Sequence, residues 1–249
     1  MSKRILSVDK AVSILGCFSQ HEELGITDIV NLSGLQKSTV YDLVNTLHLN
    51  GMLEQNLKTK KYQLGIKLFE FGCLYGKRNT LKKRAESECL TLAQYYTATV
   101  HLATHDSGEV IYIDKYEDPQ AKVSYSHIGK RAPMTCTGVG KAMLAFLGTE
   151  YLEKYIYSQP FPRETEKSIL SKHELEESIK QIKSRGYATD YEEIIPGVHC
   201  VAAPIFNIAG NVIASISISC FAQFITLQNE EQIGAVVKQA AHNISRGLT

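Results

Sequence analysis

The chain has no long uninterrupted apolar run, no closely paired cysteines and almost no net charge, and each lack narrows what it can be. Its most apolar stretch, VIASISISCF, is about half the ~18–20 residues that a membrane helix needs and is studded with Ser. The N-terminal MSKRILSVDKAV is basic, but Ser7, Asp9 and Lys10 interrupt its apolar positions, so no secretion-signal core forms and a cytoplasmic chain without membrane contact is expected. Cys17, Cys73, Cys89, Cys136, Cys200 and Cys220 form no C-x-x-C pair, which reads as reduced thiols, not a disulfide framework. No P-loop, G-x-S-x-G or H-E-x-x-H occurs. His101 and His105 are four apart, but in a strand-like run where that spacing does not make a metal site. No cofactor and no metal are expected; Cys200, His101 and Asp190 are the one conceivable zinc set.

What is present suits two folded domains: 249 residues, 44% hydrophobic and 21% charged, with 17 Gly and 6 Pro. The net charge of +1 hides an asymmetry. Residues 1–80 hold 10 Lys/Arg against 7 Asp/Glu, and residues 81–249 hold 17 against 19. A mildly basic head precedes a mildly acidic body, which hints at a polyanionic partner for the head only.

In the head, apolar residues at 8, 11, 12, 14, 15 and 18 predict a helix with one buried stripe. A second helix follows in ITDIVNLSG, capped near Thr27, with Ile29, Val30 and Leu32 inward and Gly34 as its stop. After a tight turn, QKSTVYDLVNTLHLNG predicts a third, with Val40, Leu43, Val44, Leu47 and Leu49 inward and Gly51 ending it. This is a helix-turn-helix pattern. The last helix opens with Gln36, Lys37, Ser38 and Thr39 and presents Tyr41, Asp42 and Asn45 to solvent. Short hydroxyls, an amide and a cation suit a helix start that meets base edges and phosphates, although any short surface helix can carry them. MLEQNLKTKKYQLG then predicts two short strands around a tip with Lys58, Lys60 and Lys61. Such a hairpin is either a solvated loop or, directly after a helix-turn-helix, a wing lying along DNA.

SVDKAVSILGCF, LGITDIVNLSGLQKSTVYDLVNTLHLNGMLEQ and KYQLGIKLFEFG together resemble the N-terminal winged helix of the IclR family of bacterial transcription regulators. The resemblance continues through GKRAPMTCTGVGKAMLA and DYEEIIPGVHCVAAPIFNIAGNVIASISIS. Residues 66–99 read as a short helix, a break near 76–80 with Lys77, Arg78, Lys82, Lys83 and Arg84 around it, and a long helix from about Leu81. In the body, strands are expected at TVHLATHD, EVIYIDKYE, AKVSYSHIG, HCVAAPIFN and VIASISIS. Helices are expected at TGVGKAMLAFL, at ELEESIKQIKSRGY and from Leu227 to Arg246. This pattern is α+β.

The resemblance implies more. The fold would be a winged helix-turn-helix domain at 1–66, a linker at 67–80 and a GAF-like effector-binding domain at 81–249. Its DNA contacts would fall on the wing, the recognition helix and an N-terminal arm with Lys3 and Arg4. An effector, a small organic acid, would be held at Gly138, Val139, Asp190, Cys200, Ser217 and Ser219. Val139 stands where some relatives have Ala, which implies a tighter pocket. The expected partners are a palindromic double-stranded operator, the acid and a second copy of the chain, with homotetramers as an extension. The expected function is repression of a catabolic operon.

The residues themselves agree with a small polar ligand. Amides at a helix start favour a carboxylate, and Ser217 and Ser219 share one strand face. A buried Asp190 must be protonated, solvated or hydrogen-bonded. The competing reading is a small-acid enzyme using Cys200 as nucleophile, with the head serving protein contacts. It is weakened because His199, adjacent on a strand, points to the opposite face.

Overall fold

The computed structural model describes residues 4–78, 80–121 and 126–248, with the backbone alone for Arg78. The chain divides into two compact units, residues 1–79 and 80–249, and each is described by itself.

In the first unit, α1 (Leu6–Gly16) runs into a 3-10 turn at Cys17–Gln20 and is followed by α2 (Ile26–Ser33) and α3 (Lys37–Leu49). The hairpin is β1 (Leu53–Gln55) and β2 (Tyr62–Leu64). Ile14, Phe18, Leu24, Ile29, Val40, Val44 and Leu53 form the core. Gly34 and Gly51 end the two helices at φ +68° and +72°, a region open to glycine at little cost. The cap of α2 is Gly25, two residues before Thr27, and the Asp28 carboxylate accepts the Gly25 N–H at 2.9 Å. Part of each expected apolar stripe lies outside. Val8 and Val12 on α1, Leu32 on α2 and Leu49 on α3 are exposed, by 57%, 62%, 52% and 78%. The three-helix core is too small to cover them.

The connector holds the two expected helices, α4 (Ile66–Arg78) and α5 (Thr80–Tyr96), although α4 runs on through Gly72 and Gly76. Neither glycine has a left-handed φ or a neighbour within 4 Å of an added Cβ, so each costs helix propensity without breaking the helix.

The second unit is built on an antiparallel six-stranded sheet in the order β5-β4-β3-β8-β7-β6. Its strands are β3 (Thr99–Asp106), β4 (Glu109–Glu117), β5 (Arg131–Pro133), β6 (Ala188–Tyr191), β7 (Val198–Phe206) and β8 (Val212–Phe221). Of the expected strand AKVSYSHIG, residues 122–125 lie outside the described residues, and 121 and 126–129 are not extended strand. An edge strand of the sheet is formed instead by Arg131–Pro133. Between the strands come α6 (Gly138–Leu144), the short α7 (Gly148–Tyr151) and α8 (Lys172–Arg185), and the chain closes with α9 (Glu230–Arg246). Strand β6 and helix α7 were not expected.

Strand alternation gives the sheet two different faces. Val100, Leu102, Val201, Ala203, Ile216 and Ile218 point to α5 and α9 and form the larger core. On α9, Gly234 faces inward with the Tyr187 ring against it, and Val236 is exposed. The opposite face packs Ala103, Ala188 and Ala202 against α6 and α8. Beyond those alanines it becomes polar, and the effector residues named by the resemblance lie there.

Candidate functional site

The head presents the chemistry of α3 to solvent. Gln36 precedes the helix with no side-chain cap, and the first turn carries no acid. Its N-terminal amides and their dipole are therefore not compensated by an acid of the helix's own first turn. Gln36, Lys37, Ser38, Tyr41 and Asn45 are exposed and Thr39 is half-buried. Lys58, Lys60 and Lys61 are exposed at the hairpin tip. Arg4 is exposed and lies 3.5 Å from the Asp9 carboxylate. Lys3 lies outside the described residues.

In the body, two neighbouring rows of side chains cross the second sheet face. The first follows the register Asp190, Cys200, Ser219, Thr99, Glu117, and the second Ala188, Ala202, Ser217, His101, Lys115. Gly138, at the start of α6, sits over the end of both rows. A Cβ built on it would lie 3.4 Å from the Cβ atoms of Cys200 and Ala202 and 3.7 Å from that of Asp190. Thr137 caps the helix by accepting the Gly140 N–H at 3.1 Å, which leaves the amides of Gly138 and Val139 outside the helix's own bonds. The Val139 side chain turns away from the rows into the apolar cluster beneath α6.

Asp190, Cys200, Ser217 and Ser219 are all almost completely buried. Burial first, and the neighbouring Glu193 charge next among the raising causes, push the Asp190 carboxyl up to about 7, against the opposing pull of Lys141. Its Oδ1 accepts the Glu193 N–H at 2.7 Å. Its Oδ2 and the Glu193 Oε2 are buried without a hydrogen-bond partner among the described residues. The Ser219 hydroxyl donates to Cys200 Sγ at 3.1 Å and lies 3.2 Å from His101 Nδ1, while His101 Nε2 lies 2.6 Å from Ser126 Oγ. With Ser219 donating to sulfur, Nδ1–H is the donor to Ser219 and Nε2 accepts from Ser126. Burial lowers the His101 pKa to about 3, so the ring is neutral, with both nitrogens within hydrogen-bond distance of serine hydroxyls. A cavity of about 450 Å³ reaches Ser219 from the side of Tyr96–Ala98 and Phe221–Phe224.

Several residues that sequence reasoning missed complete the site. Lys141 is buried in α6 and pairs with Glu193. Its signal was a lone cation inside the apolar run GVGKAML. Thr165 Oγ1 donates to the carbonyls of Glu192 and Glu193 at 2.7 and 3.2 Å, and Ser168 Oγ to that of Glu193 at 2.8 Å. These bonds hold the turn after Asp190, where Glu192 has φ +66°. Nothing in the local pattern around Thr165 and Ser168 points to that role. His101, named from the sequence only as a conceivable metal ligand, lies in the neighbouring row and contacts Ser219. His199 is on the other face, its Nδ1 2.7 Å from the Ile225 carbonyl, so it cannot act on Cys200.

Among the described residues no helix is long and apolar enough to cross a membrane. Two family models match: the IclR helix-turn-helix domain over residues 7–57 and the bacterial transcriptional regulator IclR C-terminal domain over residues 73–246. The HTH-type transcriptional regulator XynR of Escherichia coli is 36% identical over 245 residues, covering 98% of this chain and 97% of that protein. The crystal structure of the Thermotoga maritima IclR superposes with a TM-score of 0.73 at 29% identity, covering 98% of this chain and 99% of that one. An IclR homolog from Microbacterium hydrocarbonoxydans, crystallised with 4-hydroxybenzoate, has a TM-score of 0.83 over 97% of this chain and 98% of its own; at 23% identity that likeness shows the fold. With a helix-turn-helix head, an α+β body and both domains matched in order, the chain belongs to the IclR family of transcriptional regulators and is a DNA-binding regulator, not an enzyme.

Proposed function

We propose that the chain represses a catabolic operon and that a small organic acid, bound in the body, sets its affinity for the operator. Residues 1–66 serve as the DNA head, 67–80 as linker and 81–249 as effector domain. The observation that carries the effector reading is the buried polar row under Gly138, with an Asp190 carboxyl oxygen left without a partner among the described residues. The ligand carboxylate meets the amides of Gly138 and Val139. Asp190, holding its proton, donates to a ligand oxygen where an ionised carboxylate would repel the acid. Cys200, Ser217 and Ser219 line the remainder. The 4-hydroxybenzoate complex of the Microbacterium homolog, a protein of the same fold, supports an acid in this class.

On the head, Gln36, Lys37, Ser38, Thr39, Tyr41 and Asn45 meet the major groove, and Lys58, Lys60 and Lys61, with Lys3 and Arg4, meet phosphates. One such helix reads too few bases, so a homodimer on a palindromic operator is proposed, extending to a tetramer. The exposed apolar residues of α1 and α4, among them Leu6, Val12, Phe69 and Leu74, support pairing of copies.

A thermal-shift screen of small carboxylates, followed by the Ser217→Ala, Ser219→Ala double variant, tests the effector site. The variant is expected to keep DNA binding and to lose stabilisation by the acid; unchanged ligand affinity would remove both serines from the site. Lys60→Ala is expected to weaken binding to every duplex and to reduce the salt slope by about one.

A further inference from the structure

The wing tip carries three lysines, yet its shape is held by an acid that lies outside it. Glu23, half-buried, precedes Leu24, whose backbone pairs with Tyr62 of β2 through bonds of 2.9 and 2.8 Å. That pairing brings Glu23 alongside the tip. Its carboxylate divides between two tip residues: Oε1 accepts from Asn56 Nδ2 at 2.6 Å and Oε2 from Thr59 Oγ1 at 3.1 Å. Those residues in turn hold the lysine backbone. Asn56 Oδ1 accepts the Lys58 N–H at 2.9 Å, the Asn56 carbonyl accepts the Lys60 N–H at 2.9 Å, and Thr59 Oγ1 accepts the Lys61 N–H at 3.3 Å. Lys60 itself sits at φ +59°, an uncommon conformation for a residue with a side chain, which persists when its surroundings over-determine it.

We infer that Glu23 is a positioning residue for the wing: it fixes Asn56 and Thr59, and through them the directions in which Lys58, Lys60 and Lys61 leave the tip. The inference rests on the proposal that these lysines meet phosphates. Charge and position make opposite demands here. A carboxylate a hydrogen bond away from a DNA-facing tip, well inside a Debye length of about 8–10 Å, opposes a polyanion. Removing it should tighten binding by charge alone. Releasing the tip lets three lysines with long, flexible stems sample directions off the backbone, which weakens binding and flattens its salt dependence.

The test uses the full chain and a mixed-sequence DNA duplex, with affinity measured over a salt series. Glu23→Ala is expected to bind roughly threefold or more weakly, with the slope of log K against log salt reduced by about one. Glu23→Gln, whose amide oxygen still accepts from Asn56, is expected to bind at least as tightly as the parent because one negative charge is gone. Asn56→Ala breaks the same contact with no change of charge and is expected to weaken binding and reduce the slope in the same direction. It also decides the matter if Glu23→Ala does not fold. Equal tightening by Glu23→Ala and Glu23→Gln, or an unaltered Asn56→Ala, would overturn the inference. A Lys58→Ala, Lys60→Ala, Lys61→Ala triple variant separates the two levels. If the triple variant is weakened while Glu23→Ala is not, the positioning role fails alone. If the triple variant binds as the parent does, the wing contact fails and the positioning role falls with it.

Discussion

Burial pushes the Asp190 carboxyl up to about 7, which has a consequence for folding. Its carboxyl holds its proton in the folded body well above its ordinary value of 3.8, so the folded state binds more protons than the unfolded state between those pH values. The sign follows: stability from this group is full below about pH 4, falls as pH rises and is gone above about 7. Three units correspond to roughly 4 kcal/mol as an upper figure. Asp190→Asn is therefore expected to flatten the pH dependence of unfolding of the body between pH 4 and 7; an unchanged slope in denaturant titrations would place the proton elsewhere. Two glycines of α6 make a contrasting pair. A Cβ at position 140 would lie 2.3 Å from the Met134 carbonyl oxygen, and at 138 no closer than 3.4 Å to any neighbour. Gly140→Ala is expected to cost several kcal/mol and to lower the melting temperature sharply. Gly138→Ala should melt near the parent and lose acid binding, since its methyl fills the space over Cys200 and Asp190.

At the scale of elements, the sequence was most legible where local chemistry decides structure. Gly34, Gly51 and Gly186 stop helices where their left-handed φ is required, and β3, β4, β7 and β8 lie where alternating patterns put them. It was least legible where a neighbour decides. Helix α4 survives two glycines, and β6 is four residues whose pairing to β7 makes it a strand. Periodicity found the α1 and α3 stripes but could not say which members the small core would leave outside. The candidate site was half legible: family resemblance named Asp190, Cys200, Ser217 and Ser219, and the register brings these four into neighbouring rows. Lys141, Glu193, Thr165 and Ser168 come from a helix and two loops far apart in sequence, so only the folded chain joins them. Thr165→Ala, which removes the donor to two carbonyls of the turn after Asp190, is expected to weaken acid binding several-fold with a smaller change in melting temperature, measured by calorimetry on the full chain.

For the whole molecule, the near-neutral charge is a sum over two surfaces with different tasks. A basic excess in the head is small, but three of its lysines stand together at the wing. The body is mildly acidic, so on the proposed reading attraction of an acid falls to amides, hydroxyls and a protonated carboxyl. Control of DNA by the acid requires that it bind the DNA-competent and DNA-incompetent arrangements with different affinity; a factor of about 5–150 is typical of such coupling. The most direct measurement is the affinity of the full chain for a duplex that it selects itself from random sequence. It is taken with and without a carboxylate that stabilises the body, for the parent and for the Ser217→Ala, Ser219→Ala variant. A shift of about tenfold is expected in the parent and none in the variant, at equal affinity in the absence of acid. An acid that binds the body and leaves DNA affinity unmoved, or a variant that responds like the parent, would contradict it.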